Sequence, residues 1–421
     1  MRDDPRLPFS PRFWRSPLRG PWFTSVLGLV LLVGITVLFV TGLASYAAYN
    51  PGLSPVNDKT PDKGILGFYL FAWPTHPYWL YRLTQGVHVT LGITLIPVLL
   101  AKLWSVVPRL FTLPPARSLA HALERLSLLL LVGGGLFEFV TGVLNVQLDY
   151  VFPGSFYPLH FYGAWVFFAA FTAHALLKTP MALRNVRRLR EERNVGEEKD
   201  VREERDELVS PDPAEPTVSR RGALWSVGGG SLLLFLTTAG RSFDGLRGTA
   251  LLAPHGGADP ATGPNGFQIN KTAVYAGIDP VETSEDAWRL VVTGRTGTVR
   301  LSRAQLAGLP LHSSALPIAC VEGWSTSDQW WRGVRLRDLA ALVGHDGDPP
   351  DLLVESLQRH GAFRRAALRA NQVADPRSLL ALYVNGEDLS PDHGHPARII
   401  VPAAPGVLNT KWVARLTFGD L

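Results

Sequence analysis

Apolar positions fill the first 240 residues in long unbroken runs and afterwards fall into short alternating groups. Four runs, 22–46, 80–107, 126–146 and 159–177, reach the roughly 20 residues that a helix needs to cross a bilayer. A fifth, 223–240, is shorter and rich in glycine. Beyond residue 243 the apolar groups shrink to 288–293, 298–301, 352–356, 379–384, 398–401 and 413–418. They are β-branched or alternating and broken by Gly and Pro, which predicts strands; residues 335–343 predict a helix. The pattern therefore predicts a multidomain chain. An all-α transmembrane four-helix bundle with a fifth anchoring helix precedes an α+β domain large enough to hold its own core. The expected boundaries are 1–185 for the four-helix membrane domain, 186–218 for a charged linker, 219–242 for the fifth helix and the arginines before it, and 243–421 for the last domain.

Charge orients this pattern. Charged residues make up only 18% of the chain and apolar ones 46%, where soluble domains carry about 25% charged. The net charge of +5 comes from basic blocks beside the apolar runs, which removes the case for a nucleic-acid partner. Of the Arg and Lys in the first 240 residues, segments 1–20, 108–125 and 178–221 hold most, whereas 147–158 has none. Basic residues stay on the cytoplasmic side, so the expectation is a multi-pass protein of the cytoplasmic membrane, in contact with lipid. Its N-terminus is cytoplasmic and its last domain extracytoplasmic. Ser219-Arg220-Arg221-Gly222-Ala223-Leu224 resembles the twin-arginine export signal, with Ala223 where Phe is usual, and implies the machinery that carries folded cargo.

Cys320 is the only cysteine, which excludes an internal disulfide, a CxxC zinc site and an iron–sulfur cluster held by this chain alone. It stands in Ala319-Cys320-Val321-Glu322-Gly323-Trp324-Ser325, followed by Trp331-Arg332-Gly333-Val334. Further on come Asn385-Gly386-Glu387, Asp392-His393-Gly394-His395-Pro396-Ala397-Arg398 and Thr410-Lys411-Trp412. In this order the motifs resemble the sulfite oxidase and methionine sulfoxide reductase family of molybdopterin enzymes, over most of 264–418. The resemblance implies a molybdenum held by the Cys320 thiolate, a soft ligand suited to that metal, together with the sulfurs of the pterin. It implies that His393 and Arg398, with Asn409, Thr410 and Lys411, hold the pterin's phosphate. Ser356 and Asn270 match positions that contact the pterin. Val321, Glu322 and Gly323 replace the arginine that follows the cysteine in sulfite oxidases proper, which places the resemblance nearer the bacterial reductases. Arg332, Arg335, Arg359 and His360 stand as candidates for an anion pocket.

An oxidoreductase outside the membrane needs an electron route, and haem b between histidines on facing helices is the common one. The first and third runs share Leu-Leu-Val-Gly followed by Val-Thr-Gly, at 31–34 with 40–42 and at 130–133 with 140–142, and each is followed by a returning run with a histidine, His88 or His160. This internal repeat suggests two helical hairpins. His160 and His174 are 14 residues apart, about 21 Å along one helix face. Estimated depth favours His88 with His160 for one haem and leaves His121 as the partner of His174 for a second; a single haem on His88 and His174 remains the alternative. Glu138 is a further candidate for proton or quinone chemistry.

The resulting expectation is a molybdenum-dependent enzyme performing oxygen-atom transfer on a small, sulfur-containing substrate and exchanging electrons through haem b with the quinone pool. The alternative is an electron-transfer or anchoring protein that serves a separate partner without turnover of its own.

Overall fold

The computed structural model describes residues 6–8, 10–16, 18–53, 56–57, 71–111, 118–146, 156–194, 214–252, 264–360 and 364–421. Most of the expected linker, 195–213, lies outside the described residues, as does the side chain of His121. Two compact units result, and neither is contiguous: residues 1–40 with 90–237, and residues 41–89 with 238–421.

Six helices account for the apolar runs: α1 (Pro21–Ala48), α2 (Leu80–Thr94), α3 (Ile96–Leu110), α4 (Leu119–Asn145), α5 (Tyr157–Asn194) and α6 (Arg220–Thr238). Four are long and apolar enough to cross a membrane, and five spans result if the bent α2–α3 pair counts as one. The single run expected over 80–107 is thus broken, with a bend of 42°. Pro97 at the start of α3 explains the break, because its ring removes a backbone donor and crowds the carbonyl four residues earlier. In the first unit, Phe23, Leu27, Leu31 and Ile35 repeat every fourth residue along α1 and meet Val98 and Leu99 of α3 and Phe167 and Phe171 of α5. The outward faces are also apolar: Val30 and Val33 on α1, Leu126 and Leu129 on α4, and Leu232 and Leu233 on α6 are exposed. Helices apolar on every side suit a lipid solvent.

The second unit holds two sheets, one mixed through the parallel pairing of its first and last strands and one wholly antiparallel. Its strands are β1 (Leu290–Gly294), β2 (Gly297–Leu301), β3 (His312–Leu316), β4 (Gln329–Arg335), β5 (Leu352–Ser356), β6 (Arg365–Leu368), β7 (Leu379–Val384), β8 (Glu387–Asp388), β9 (Arg398–Ile400) and β10 (Val413–Phe418). Short helices α7 (Ala273–Ala276), α8 (Arg303–Ala307), α9 (Leu336–Ala341) and α10 (Ala370–Ala374) fill the connections. One sheet runs β2-β1-β10-β5-β6; the other runs β3-β4-β7-β8, with β9 also paired to β7. Strand alternation decides where the site lies. Leu380 and Leu382 of β7 join the main core with Leu290, Leu352 and Leu416 of the first sheet. Leu379 and Ala381, one residue out of phase, join Cys320, Trp324, Trp331 and Phe267 on the opposite face.

The same unit incorporates the end of α1 and the start of α2. Ala47, Ala48, Tyr49, Trp73 and Tyr81 form a small core with Ala319. Asn50 donates to Gln372 Oε1 (2.8 Å) and to the Ala367 carbonyl (3.1 Å), and Trp73 Nε1 donates to the Ala403 carbonyl (2.7 Å).

Candidate active site

The cysteine sits in the turn between β3 and β4. Cys320 N–H donates to the Trp324 carbonyl (2.9 Å), Gly323 N–H to the Cys320 carbonyl (3.1 Å) and Thr326 N–H to the Ile318 carbonyl (2.9 Å). Gly323 has φ +81°, which favours glycine, and a Cβ there would stand 2.6–2.9 Å from three carbons of Val89. From the start of α2, Gln85 Nε2 donates to the Val321 carbonyl, and Ser45 donates to Gln85 Oε1 (2.6 Å). Arg241 Nη1 donates to the Glu322 carbonyl (2.9 Å), and Ser242 Oγ to that of Gly323. Every backbone oxygen from Cys320 to Trp324 is therefore held. The thiol itself is buried, and desolvation, followed by the neighbouring Glu322, pushes it well above its ordinary range. A bound cation reverses that preference, because coordination favours the thiolate. Asn270 Nδ2 lies 3.3 Å from Cys320 Sγ, so the loop around 270 reaches the cysteine.

A second cluster joins His393, Arg398, Asn409, Thr410 and Lys411. Arg398 donates to the His393 carbonyl (3.0 Å) and the Asn409 carbonyl (3.2 Å) and lies over the Trp331 ring at 5.0 Å. Lys411 Nζ donates to the carbonyls of Lys271 and Asp392, both at 2.7 Å. Gly394 (φ +110°) lets the chain pass beside both cations, since a Cβ there would lie 3.0 Å from Lys411 Cβ and 3.2 Å from Arg398 Cβ. Burial pulls Arg398 down to about 9, still cationic at neutral pH. Burial, and then Arg398, pulls Lys411 well below its ordinary value. Neither forms an ion pair among the described residues. Arg398 Nε, Asn409 Nδ2 and Thr410 Oγ1 are buried without a hydrogen-bond partner. Two buried cations and three idle polar atoms fit a multiply charged anion with several acceptor oxygens, such as a phosphate group.

His393 contributes differently. Burial, reinforced by Arg398 and Lys411, lowers its imidazole to about 3, so it is neutral. Nε2 contacts the Gln268 carbonyl (3.4 Å) and therefore bears the hydrogen, while Nδ1 faces Ser390 Oγ (3.0 Å). Ser356 donates its hydrogen to the Lys411 carbonyl (2.7 Å) and accepts from Gln358 N–H (3.2 Å). It thus ties the end of β5 to the Lys411 turn. Among the described residues no hydrogen bond or ion pair joins the four candidates for an anion pocket to Cys320; Arg359 pairs with Glu282 (2.8 Å) and Arg332 lies over Tyr383. Sequence reasoning missed Tyr81, Gln85 and Arg241 around the cysteine turn. Gln85 carried a usable signal, since a polar side chain inside an apolar run is a functional candidate by default.

The membrane-run histidines can be placed one at a time. His88 Nδ1 lies 3.1 Å from Thr41 Oγ1 within the second unit. His160 Nδ1 lies 2.8 Å from Thr141 Oγ1 and 3.1 Å from Glu138 Oε2 within the first. His174 lies on α5.

Residues 276–420 match the family model described as the oxidoreductase molybdopterin binding domain. Mitochondrial sulfite oxidase of Rattus norvegicus is 31% identical over 158 residues, covering 31% of this chain and 29% of the relative. The uncharacterized oxidoreductase YuiH of Bacillus subtilis is 29% identical over 146 residues, covering 34% of this chain and 72% of that protein. The crystal structure of the sulfane dehydrogenase SoxCD from Paracoccus pantotrophus aligns at 24% identity with a TM-score of 0.30, over 33% of this chain and 39% of that one. The chain spans less than a third of the length of the rat sulfite oxidase it matches.

Proposed function

We propose, from a C-terminal region that is a sulfite oxidase-type molybdopterin-binding domain, that this chain is a membrane-bound, molybdenum-dependent oxidoreductase acting on a small sulfur-containing substrate. The observation that carries this reading is the pair of buried cations, Arg398 and Lys411, next to polar atoms that no protein group satisfies. In this reading Cys320 supplies a thiolate to molybdenum, and Arg398, Lys411, Thr410 and Asn409 grip the pterin's phosphate. Neutral His393, Asn270 and Ser356 line the remainder of the cofactor. When bound, the molybdenum centre supplies two-electron oxygen-atom chemistry, in the direction of a sulfoxide reductase or of a sulfite oxidase. The protein's own part is to fix the cysteine turn from every side, keep bulk water off the thiol and neutralise the phosphate.

The membrane part of the proposal rests on the exposed apolar helices and the basic flanks between them. Helices α1 to α6 lie in the cytoplasmic membrane, the molybdopterin domain lies outside, and Arg220 and Arg221 address the chain to the twin-arginine machinery. Haem b, with His88 and His160 each as an axial ligand, links the domain to the quinone pool. Both histidines set Nδ1 against a polar partner, here a threonine hydroxyl, and metal-bound imidazoles usually engage their other nitrogen in this way.

The test is molybdenum and pterin phosphate quantified in the purified full chain and in Cys320→Ser. The wild type should carry about one of each per chain and the variant should lose the metal. A wild type without molybdenum overturns the proposal. Turnover of sulfoxide and sulfite with artificial dyes separates an enzyme from a mere electron carrier.

A further inference from the structure

Helices α1 and α4 repeat Val-Thr-Gly at 40–42 and 140–142, and in both places the structure sets the same device against a histidine. Thr41 Oγ1 lies 3.1 Å from His88 Nδ1, and a Cβ on Gly42 would stand 3.1 Å from His88 Cε1. Thr141 Oγ1 lies 2.8 Å from His160 Nδ1, and a Cβ on Gly142 would stand 3.4 Å from His160 Cε1. The threonine fixes the ring's nitrogen and the glycine lets the ring lie against the helix.

For His160 the direction of the bond can be worked out. A threonine hydroxyl has one hydrogen, and Thr141 donates its own to the Phe137 carbonyl at 2.7 Å. Toward the imidazole it must accept, so Nδ1 bears the hydrogen and the lone pair is on Nε2. Glu138, one turn before Thr141, places Oε2 3.1 Å from the same Nδ1. Its other oxygen is buried without a partner, and Gly163 of α5 leaves it room, because a Cβ there would collide with that oxygen. The corresponding position before Thr41 is Leu38. The His160 imidazole therefore has a hydroxyl and a carboxylate behind it, whereas the sequence position before Thr41 that corresponds to Glu138 carries no charge.

We infer that Thr41 and Thr141 are positioning residues that present Nε2 of His88 and His160 as ligand atoms, and that Glu138 makes the two sites chemically unequal. The inference rests on the haem reading above. A carboxylate behind a metal-bound imidazole raises its basicity and so favours the oxidised metal.

The experiment is a redox titration of the full-length detergent-solubilised chain, with electron paramagnetic resonance on the oxidised form. Glu138→Leu should leave about tenfold more of the His160-linked haem reduced at a given potential, a midpoint rise of about 59 mV for one electron. Glu138→Gln, which retains an acceptor, should fall between wild type and Glu138→Leu. Leu38→Glu should move the midpoint of the haem that His88 holds in the opposite direction, and it reads out the same idea if the Glu138 variants fail to insert. Thr141→Val should change the resonance anisotropy, and Thr141→Ser should restore it. A wild type without a haem b spectrum refutes the haem reading itself. A normal haem whose midpoint and resonance ignore all these changes refutes the positioning role and leaves the haem standing.

Discussion

Gly323→Ala probes the joint between the cysteine turn and α2. The new methyl meets two penalties at once. At φ +81° an alanine pays about 1–2 kcal/mol of backbone strain. Its Cβ also stands 2.6–2.9 Å from three carbons of Val89, and overpacking of this kind costs about 1–3 kcal/mol. The sum, about 2–5 kcal/mol, falls on the turn that carries Cys320. The expected result is lower thermal stability of the detergent-solubilised chain and a loss of retained molybdenum. Val89→Ala alone should cost about 2 kcal/mol or less through the space it opens. In the double variant that space accepts the methyl, so Gly323→Ala/Val89→Ala should exceed the additive expectation by about 1–3 kcal/mol. Strict additivity would show that Val89 does not press on residue 323, and the reasoning would fall.

Three other outcomes are expected. Lys411→Met should reduce molybdopterin retention at least about tenfold, measured as metal and pterin per chain after gel filtration; undiminished retention contradicts a phosphate grip there. His393 has its imidazole lowered from 6.5 to about 3, so the folded state binds fewer protons than the unfolded one across that interval. Stability is then fully present above pH 6.5 and falls as pH drops toward 3, by up to about 1.4 kcal/mol per unit; denaturant unfolding of cofactor-depleted His393→Gln should show a shallower slope than wild type, and equal slopes refute the assignment. Arg220→Lys with Arg221→Lys should leave the last domain protected from external protease in spheroplasts, whereas normal exposure would rule out twin-arginine export.

Much of the second unit was readable in the sequence because its strands are apolar enough to declare themselves. The expected 352–356, 379–384 and 413–418 are β5, β7 and β10 residue for residue. Strands β3 and β4 escaped notice for physical reasons. His312-Ser313-Ser314-Ala315-Leu316 has little intrinsic strand preference and extends only because β4 pairs with it. Gly333 in β4 has low intrinsic strand preference, yet glycine is required there, because a Cβ would lie 2.0 Å from the Leu380 carbonyl of β7. The cluster of Arg398 and Lys411 was legible through ordered motifs near one another in sequence. In the wall formed by Tyr81 and Gln85, the polarity of Gln85 marked a residue of interest but named no partner, since nothing local points to Val321 more than two hundred residues away. The break at Leu95 has a local cause in Pro97, which the continuous apolarity over 80–107 concealed.

The interleaving of residues 41–89 with 238–421 has a consequence for biogenesis. Asn50 and Gln372 meet across 322 positions of chain, and contacts of such long sequence separation form slowly, because loop closure must precede any stabilising gain. The first hairpin emerges from the ribosome long before the polypeptide it will wall in exists. Synthesis alone therefore cannot finish the catalytic unit, and a version beginning at residue 243 would be born without one side of its cysteine turn.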